Sequence, residues 1–256
     1  VETPVASDDE ADASADDATE DDEPVAADDA DSATDATADD EPVAADEEAS
    51  DVPQRIVSLN PTATEMLFAI GAGDQVVAVD QFSYYPAEAP VTDLSGFDPN
   101  IEAIAGFEPD LVVTDFALEG LEVIGLSNHA VPAATNLDEI YAQIEQLGAI
   151  TGHVGEAAEL VLQMQTAIDA VLVSLPARET PLTYYHELDN TLFSVTSSTF
   201  IGYVYDLFGL VNIADPADAD GSAYGYPQLN EEFIITANPD IVFLADTICC
   251  GQTAET

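Results

Sequence analysis

The sequence contains no lysine and no tryptophan, and its only cations, Arg55 and Arg178, stand against 52 aspartates and glutamates, a formal charge of −50 over 256 residues. A chain so poor in cations cannot displace the counterions of a phosphate backbone, and its field repels anionic head groups, so DNA and RNA are excluded as partners. Such a charge is expected of a surface adapted to concentrated salt, where counterions screen the self-repulsion; a surface made for one basic partner is the competing reading. No uninterrupted apolar run reaches 18 residues, so no segment is expected to span a membrane. Val1 stands where an initiator Met would be, which leads us to expect export, with the signal removed or lying outside this sequence.

Motifs of catalysis are missing too. There is no Gly-x-Ser-x-Gly elbow, no Walker loop and no His-Glu-x-x-His. Carboxylate pairs are uninformative in so acidic a chain, and Gly71-Ala-Gly73 ends a helix pattern instead of joining a strand to a helix, so it reads as a helix C-cap, not a dinucleotide loop. No enzyme and no resident cofactor are expected. His129, His153 and His186 stand far apart with no ligand-like spacing, which disfavours capture of bare zinc or manganese. The cysteines are the adjacent Cys249 and Cys250. Neighbouring Cα atoms lie ~3.8 Å apart, shorter than is usual for a bridge. A strained vicinal disulfide, a ligand pair, two buried thiols and pairing with cysteines of a C-terminal part expected beyond this sequence all stay open.

What is present divides sharply. Residues 1–53 are Asp, Glu, Ala, Thr and Ser with a few Pro and Val, and the octet DDEPVAAD occurs at Asp21 to Asp28 and again at Asp39 to Asp46. Such a segment has too little apolar surface to offset its ordering entropy, and it is expected to be a disordered, extended tether or linker. From Gln54 onward, short apolar runs alternate with helical patterns, the texture of an α/β fold with mainly parallel sheets. Strands are expected at Arg55 to Leu59, Gln75 to Asp80, Leu111 to Asp115 and Ala130 to Ala134. Helices are expected from a capping box at Thr62-Ala-Thr-Glu65, at Asn100 to Phe107, and from Leu137 to about Thr151. These elements make a first lobe over 54–152.

Between Val154 and Leu175 the apolar residues recur at spacings of three and four, predicting one helix of about 22 residues and about 33 Å. This connecting helix, over 153–176, leads into a second βα series over 177–256, with Leu182 to His186, Leu192 to Val195 and Ile241 to Ala245 as its strand candidates. A parallel sheet needs cover on both faces, and little sequence follows the last strand, so the second lobe is expected to be incomplete here.

The order of lobe, long helix and lobe, with RIVSLNPTATEMLFAIGAGDQVVAVD at Arg55 to Asp80, GFDPNIEAIAGFEPDLVVTD at Gly96 to Asp115 and LNEEFIITANPDIVFLAD at Leu229 to Asp246, resembles the cobalamin- and ferric-siderophore-binding proteins of ABC importers. The resemblance runs from Gln54 to the end. It implies two Rossmann-like lobes joined by one rigid helix, a ligand held in the cleft between them, and an exported monomer in the periplasm or at the outer face of the cytoplasmic membrane, held there through a lipid anchor. It further implies docking to permease subunits through one acidic residue on each lobe. The matching positions are Glu102 in Pro-Asn-Ile-Glu and Glu232 in Leu-Asn-Glu-Glu, where Asn230 replaces a common serine. Enrichment of a helix N-terminus by a carboxylate is the ordinary alternative for both.

Ligands of open α/β sheets bind at the carboxyl ends of strands. The loops expected there are aromatic, and rings with a polar handle suit a corrin or a chelate. They supply Tyr84, Tyr85, Gly96, Phe97 and Phe116 from the first lobe, and Thr199, Phe200, Tyr224, Tyr226 and Asp246 from the second. Packing beneath loops is the competing role for such rings. Arg55 and Arg178 fall outside these loops, which favours a neutral or cationic ligand, a cobalamin-like corrinoid over an anionic ferric siderophore or haem-type chelate. A surface-anchored sensor or adhesion module on the same fold is the alternative function.

Overall fold

Seven strands fall into two separate sheets in the computed structural model, which describes residues 52–247 and Thr253. Apart from Val52 and Pro53, the expected tail lies outside the described residues, as do Cys249 and Cys250. The first sheet contains β1 (Ile56–Ser58), β2 (Val76–Val79), β3 (Leu111–Thr114) and β4 (Ser127–Ala130) in the order β2-β1-β3-β4. The second contains β5 (Thr183–Glu187), β6 (Val211–Asn212) and β7 (Ile241–Leu244) in the order β6-β5-β7. Every pairing within them is parallel. All the carboxyl ends of a sheet therefore lie along one edge, and the loops that leave them share that edge.

Burial on both faces explains the apolar runs of β1, β2 and β3. In β1 and β3, Ile56, Leu111 and Val113 point to one core while Val57 and Val112 point to the other, as the two-residue period requires. The first core is covered by Leu67 of α1 (Pro61–Ala69), and by Ile144 and Leu147 of α3 (Leu137–Thr151). Ile104 of α2 (Ile101–Ala105), with Leu94 and Leu121 from loops, covers the second.

The expected connecting helix is continuous as α4 (Val154–Ser174), 21 residues long. Its first half packs on α3 through Ala157 and Val161, and Gly148 makes that approach possible: a Cβ there would lie 2.4 Å from the Cβ of Ala157. The second half is less covered, with Val171 and Val173 exposed. By length and apolar content alone α4 also meets the requirement for a membrane span, although Glu156, Glu159 and Asp169 interrupt its apolar sequence. In the chain α4 stands between β4 of the first sheet and β5 of the second, and it packs against α3.

Around β5 the cover is thinner. Tyr184 and His186 face α5 (Phe200–Leu207), whose Tyr205 stacks on Phe243 at 4.5 Å and meets Tyr184 at 4.6 Å. Opposite them, Tyr185, Ile213, Ala214 and Leu229 form a small core with Phe233 and Ile234 of α6 (Glu231–Ala237). β7 is an edge strand, and its Val242 is half exposed.

Three local expectations need correction, and one strand lies where none is expected. The first helix starts at Pro61, not after Thr62; Asn60 is its cap, accepting from the Ala63 N–H at 2.8 Å, because Pro61 has the fixed φ of a first helical residue and no N–H to satisfy. The strand placed at Ala130 to Ala134 ends at Ala130, since Pro132 cannot continue a ladder. It is an edge strand, which explains its polar composition: the Asn128 side chain bonds Val112 O and Thr114 Oγ1 of the neighbouring strand. Leu192 to Val195 forms no strand. Leu192 takes the left-handed conformation at φ 66°, and Phe193 makes only a single antiparallel bridge with Gln228. The strand actually paired beside β5 is the two-residue β6, too short to carry a period.

Candidate ligand cleft

The loop after β2 is held by Asp80, which is buried and accepts from the Ser83 N–H at 3.0 Å and from the Ser83 hydroxyl at 2.6 Å. The Thr64 hydroxyl links on to Ser58 and Ser83, tying the loop to β1 and α1. That scaffold lets Tyr84 and Tyr85 project, 74 % and 62 % exposed. Phe97 is more exposed still and meets Phe82 edge to face at 5.7 Å. Gly96 has a packing role: a Cβ would fall 2.3 Å from the Leu59 carbonyl oxygen. Phe116 is half exposed, and its carbonyl accepts from Thr114 Oγ1 at 2.6 Å, which turns the chain just after β3.

Asn60 sits where β1, β3 and β4 end. Its amide donates to Asp115 Oδ1 and to the Val131 carbonyl at 2.9 Å, while its oxygen caps α1. Partial burial, and then the negative charge of Asp80, push the Asp115 carboxyl above the usual carboxylate range. Asp115 and Asn60 line a recess of about 280 Å³ with Thr62, Val131 and Gln143, and Phe200 closes it from the second lobe. This recess joins the carboxyl edge of the first sheet to the start of α5.

In the second lobe Thr199 is buried and caps α5, donating to Thr196 O at 2.9 Å and accepting from the Gly202 N–H at 3.1 Å. The aromatic loop that follows is braced by Asp218, which accepts from the N–H groups of Ala223 and Gly225, each at 2.7 Å. Tyr224 is held left-handed at φ 52° and is 88 % exposed; Tyr226 is half exposed. Gly225 seats the loop against Thr199, where a Cβ would lie 2.7 Å from the threonine methyl. Asp246 is fully buried beyond β7, and its charge, with that of Asp189, adds to burial in raising the Glu187 carboxyl at the end of β5.

The structure thus gathers Tyr84, Tyr85, Phe97 and Phe116 on the carboxyl edge of one sheet, and Phe200, Tyr224 and Tyr226 near the start of α5. Among the described residues, no ring contact links Tyr84 or Tyr85 to Tyr224 or Tyr226. Thr199 and Gly96 have structural work of their own. Sequence reasoning missed Asn60, Asp115 and Asp218, although the first two carried a usable signal: each is a polar residue standing within two positions of the end of a buried strand. Both cations lie elsewhere. Arg55 precedes β1 and donates to the carbonyls of Glu108, at 2.9 Å, and Phe107, while Arg178 lies between α4 and β5 and lines an apolar hollow with Tyr205 and Phe243. They occupy the amino ends of the two parallel sheets, so the carboxyl edges hold acids and aromatics without a balancing cation.

Glu102 and Glu232 occupy equivalent frames. Each is exposed and stands in the first turn of a short helix, two residues after an asparagine cap, Asn100 for α2 and Asn230 for α6.

The sequence profile of the family described as periplasmic binding protein matches residues 56–255. A cobalamin-binding protein of Halobacterium salinarum is 33 % identical over 201 residues, covering 74 % of this chain and 53 % of that protein, so the chain spans about half the length of this relative. An uncharacterized ABC transporter substrate-binding lipoprotein of Bacillus subtilis is 27 % identical, covering 77 % of this chain and 65 % of its own length. Among solved structures, the periplasmic vitamin B12 binding protein of Vibrio cholerae superposes with a TM-score of 0.60 at 27 % identity, covering 79 % of this chain and 81 % of that one. The periplasmic heme binding protein of the same organism gives 0.64 at 27 % identity, with coverage of 75 % and 76 %.

Proposed function

The chain belongs to the periplasmic binding protein family, and on that premise we propose that it is the extracytoplasmic solute-binding component of an ABC importer, taking a cobalamin-like corrinoid in the cleft between its lobes and performing no catalysis. The observation that carries the ligand choice is the placement of charge. A propionate- or catecholate-bearing chelate is commonly held by a cation at its site, and both arginines stand at the opposite ends of the sheets. Neutral amide arms and a broad apolar ring suit a rim of exposed tyrosines and phenylalanines. Tyr84, Tyr85, Phe97 and Phe116 on one side, with Phe200, Tyr224 and Tyr226 on the other, are the contacts we propose; Thr199 acts from beneath by capping α5.

Docking to the permease falls to Glu102 and Glu232, whose matched frames on the two lobes suit a pseudo-symmetric pair of basic pockets. The acidic segment over 1–53 serves as the tether of a lipid-anchored monomer. Calorimetric titration of the full chain with cyanocobalamin, haem and a ferric catecholate tests the ligand assignment. We expect tight binding of the corrinoid; tight binding of the trianionic catecholate alone overturns it. Exchanging Glu102 and Glu232 together for Gln is expected to impair uptake without changing ligand affinity, and undiminished uptake removes the docking role.

A further inference from the structure

The recess beside Asn60 carries information about ligand chemistry that family membership does not supply. Its wall holds few free polar groups. Both amide protons of Asn60 are engaged, on Asp115 and on Val131 O, and its oxygen caps α1. Gln143 donates to Pro132 O at 2.7 Å. The Asp115 carboxylate receives one hydrogen bond among the described residues, on Oδ1 from Asn60, and its Oδ2 remains an acceptor at the cleft rim. Thr62 is exposed on the same wall and supplies a hydroxyl. Asp80 adds a second negative charge nearby, and no arginine approaches.

An acceptor carboxylate beside a hydroxyl matches a primary amide, whose N–H₂ donates to the first while its carbonyl accepts from the second. A carboxylate arm in the same place would set two anions against each other in a partly desolvated pocket. We infer that Asp115 is the residue by which the cleft selects amide-bearing over carboxylate-bearing arms of a chelate ring, with one such arm seated in the recess between Asn60 and Phe200. The inference rests on the corrinoid reading and refines it. Asp115 does so by direct contact; Asn60 positions its carboxylate.

The test compares two corrinoids with the same ring, dicyanocobinamide, whose arms are amides, and dicyanocobyrinic acid, whose arms are carboxylates. Titrations of the full chain at about 2 M NaCl, where the Debye length falls to a few ångströms, suppress the long-range field of the acidic surface, so that the affinity ratio reports the site. We expect the wild-type chain to favour the amide form by about 100-fold, and Asp115→Asn to narrow that ratio by about tenfold or more, because an asparagine can donate to a carboxylate. Asp115→Ser, smaller and at an exposed rim position, should narrow it as well and guards against a folding defect confined to one variant. If cobinamide binds and neither variant changes the ratio, the role of Asp115 is overturned while the corrinoid assignment stands. If the wild-type chain binds neither corrinoid, both fall.

Discussion

Among the described residues the two sheets are covered to different degrees. Around the first sheet, two cores lie on opposite faces, and Ile56, Leu67, Ile104, Val112 and Leu147 are fully removed from solvent. Around the second, one face has a core of four buried residues, and the other rests on a cluster of Tyr184, Tyr205 and Phe243 beside a hollow of about 540 Å³. Parallel sheets depend on cover over both faces, so stability should concentrate in the first lobe and adaptability in the second.

Mutations to alanine give the strongest test of that contrast. Leu67→Ala empties a fully buried site in the first core and should cost about 3 to 4 kcal/mol, measured by denaturant titration. Phe243→Ala, on the edge strand beside an existing hollow, should cost about half as much because less surface returns to water; equal losses would dissolve the distinction. Next in size is a pair of glycines. At Gly202 a Cβ would come 2.0 Å from the Thr196 carbonyl oxygen, so Gly202→Ala should destabilise the second lobe by roughly 2 kcal/mol. At Gly155 of α4 nothing lies within 4 Å of a Cβ, and Gly155→Ala should stabilise by up to about 0.5 to 1 kcal/mol. Amide hydrogen exchange should show β1 and β3 outlasting β5 and β7 in both wild type and the Gly155 variant, and the reverse order would break the comparison at its root.

The smallest expected effect is on pH. Asp115 in the first lobe and Glu187 in the second both have carboxyl pKa values raised in the folded chain, by burial first and by neighbouring acids after it. A raised carboxyl binds its proton more readily folded than unfolded, so its penalty is fully present above the folded pKa and is relieved as pH falls through it. Acidification from neutrality towards about pH 5 should therefore raise the melting temperature modestly, and the rise should shrink in the Asp115→Asn, Glu187→Gln double variant. At lower pH the sign reverses. Glu139, Asp189 and Asp240 have pKa values lowered by hydrogen bonds from Thr135, Thr191 and Thr183, and the stability they give is lost as they become protonated.

Much of the framework was legible residue by residue. The three-and-four spacing from Val154 onward predicted α4, because a helix that packs on one side must repeat its apolar groups once per turn. The helix expected from Leu137 to about Thr151 and the strand expected at Leu111 to Asp115 rest on the same kind of period or run, and they form as Leu137–Thr151 and Leu111–Thr114. Polar edge elements were less legible. Nothing in Ser127-Asn-His-Ala130 alternates, and it is a strand through its parallel pairing with β3, to which the Asn128 side chain adds a bond to the Val112 carbonyl. The capping box expected at Thr62 gives way to Asn60, which caps α1 while its amide bonds Asp115 and the Val131 carbonyl.

By itself the sequence determined the charge, the alternation of strand and helix, the rod between lobes and the aromatic character of the loops, since each of these is a property of neighbours along the chain. Only the tertiary structure decided which acids share the cleft, that both arginines lie away from it, and that Asn60, Asp115 and Phe200 enclose one recess. Those facts depend on parallel strands bringing distant loops to a common edge, a juxtaposition set by packing across the sheets that no local pattern encodes.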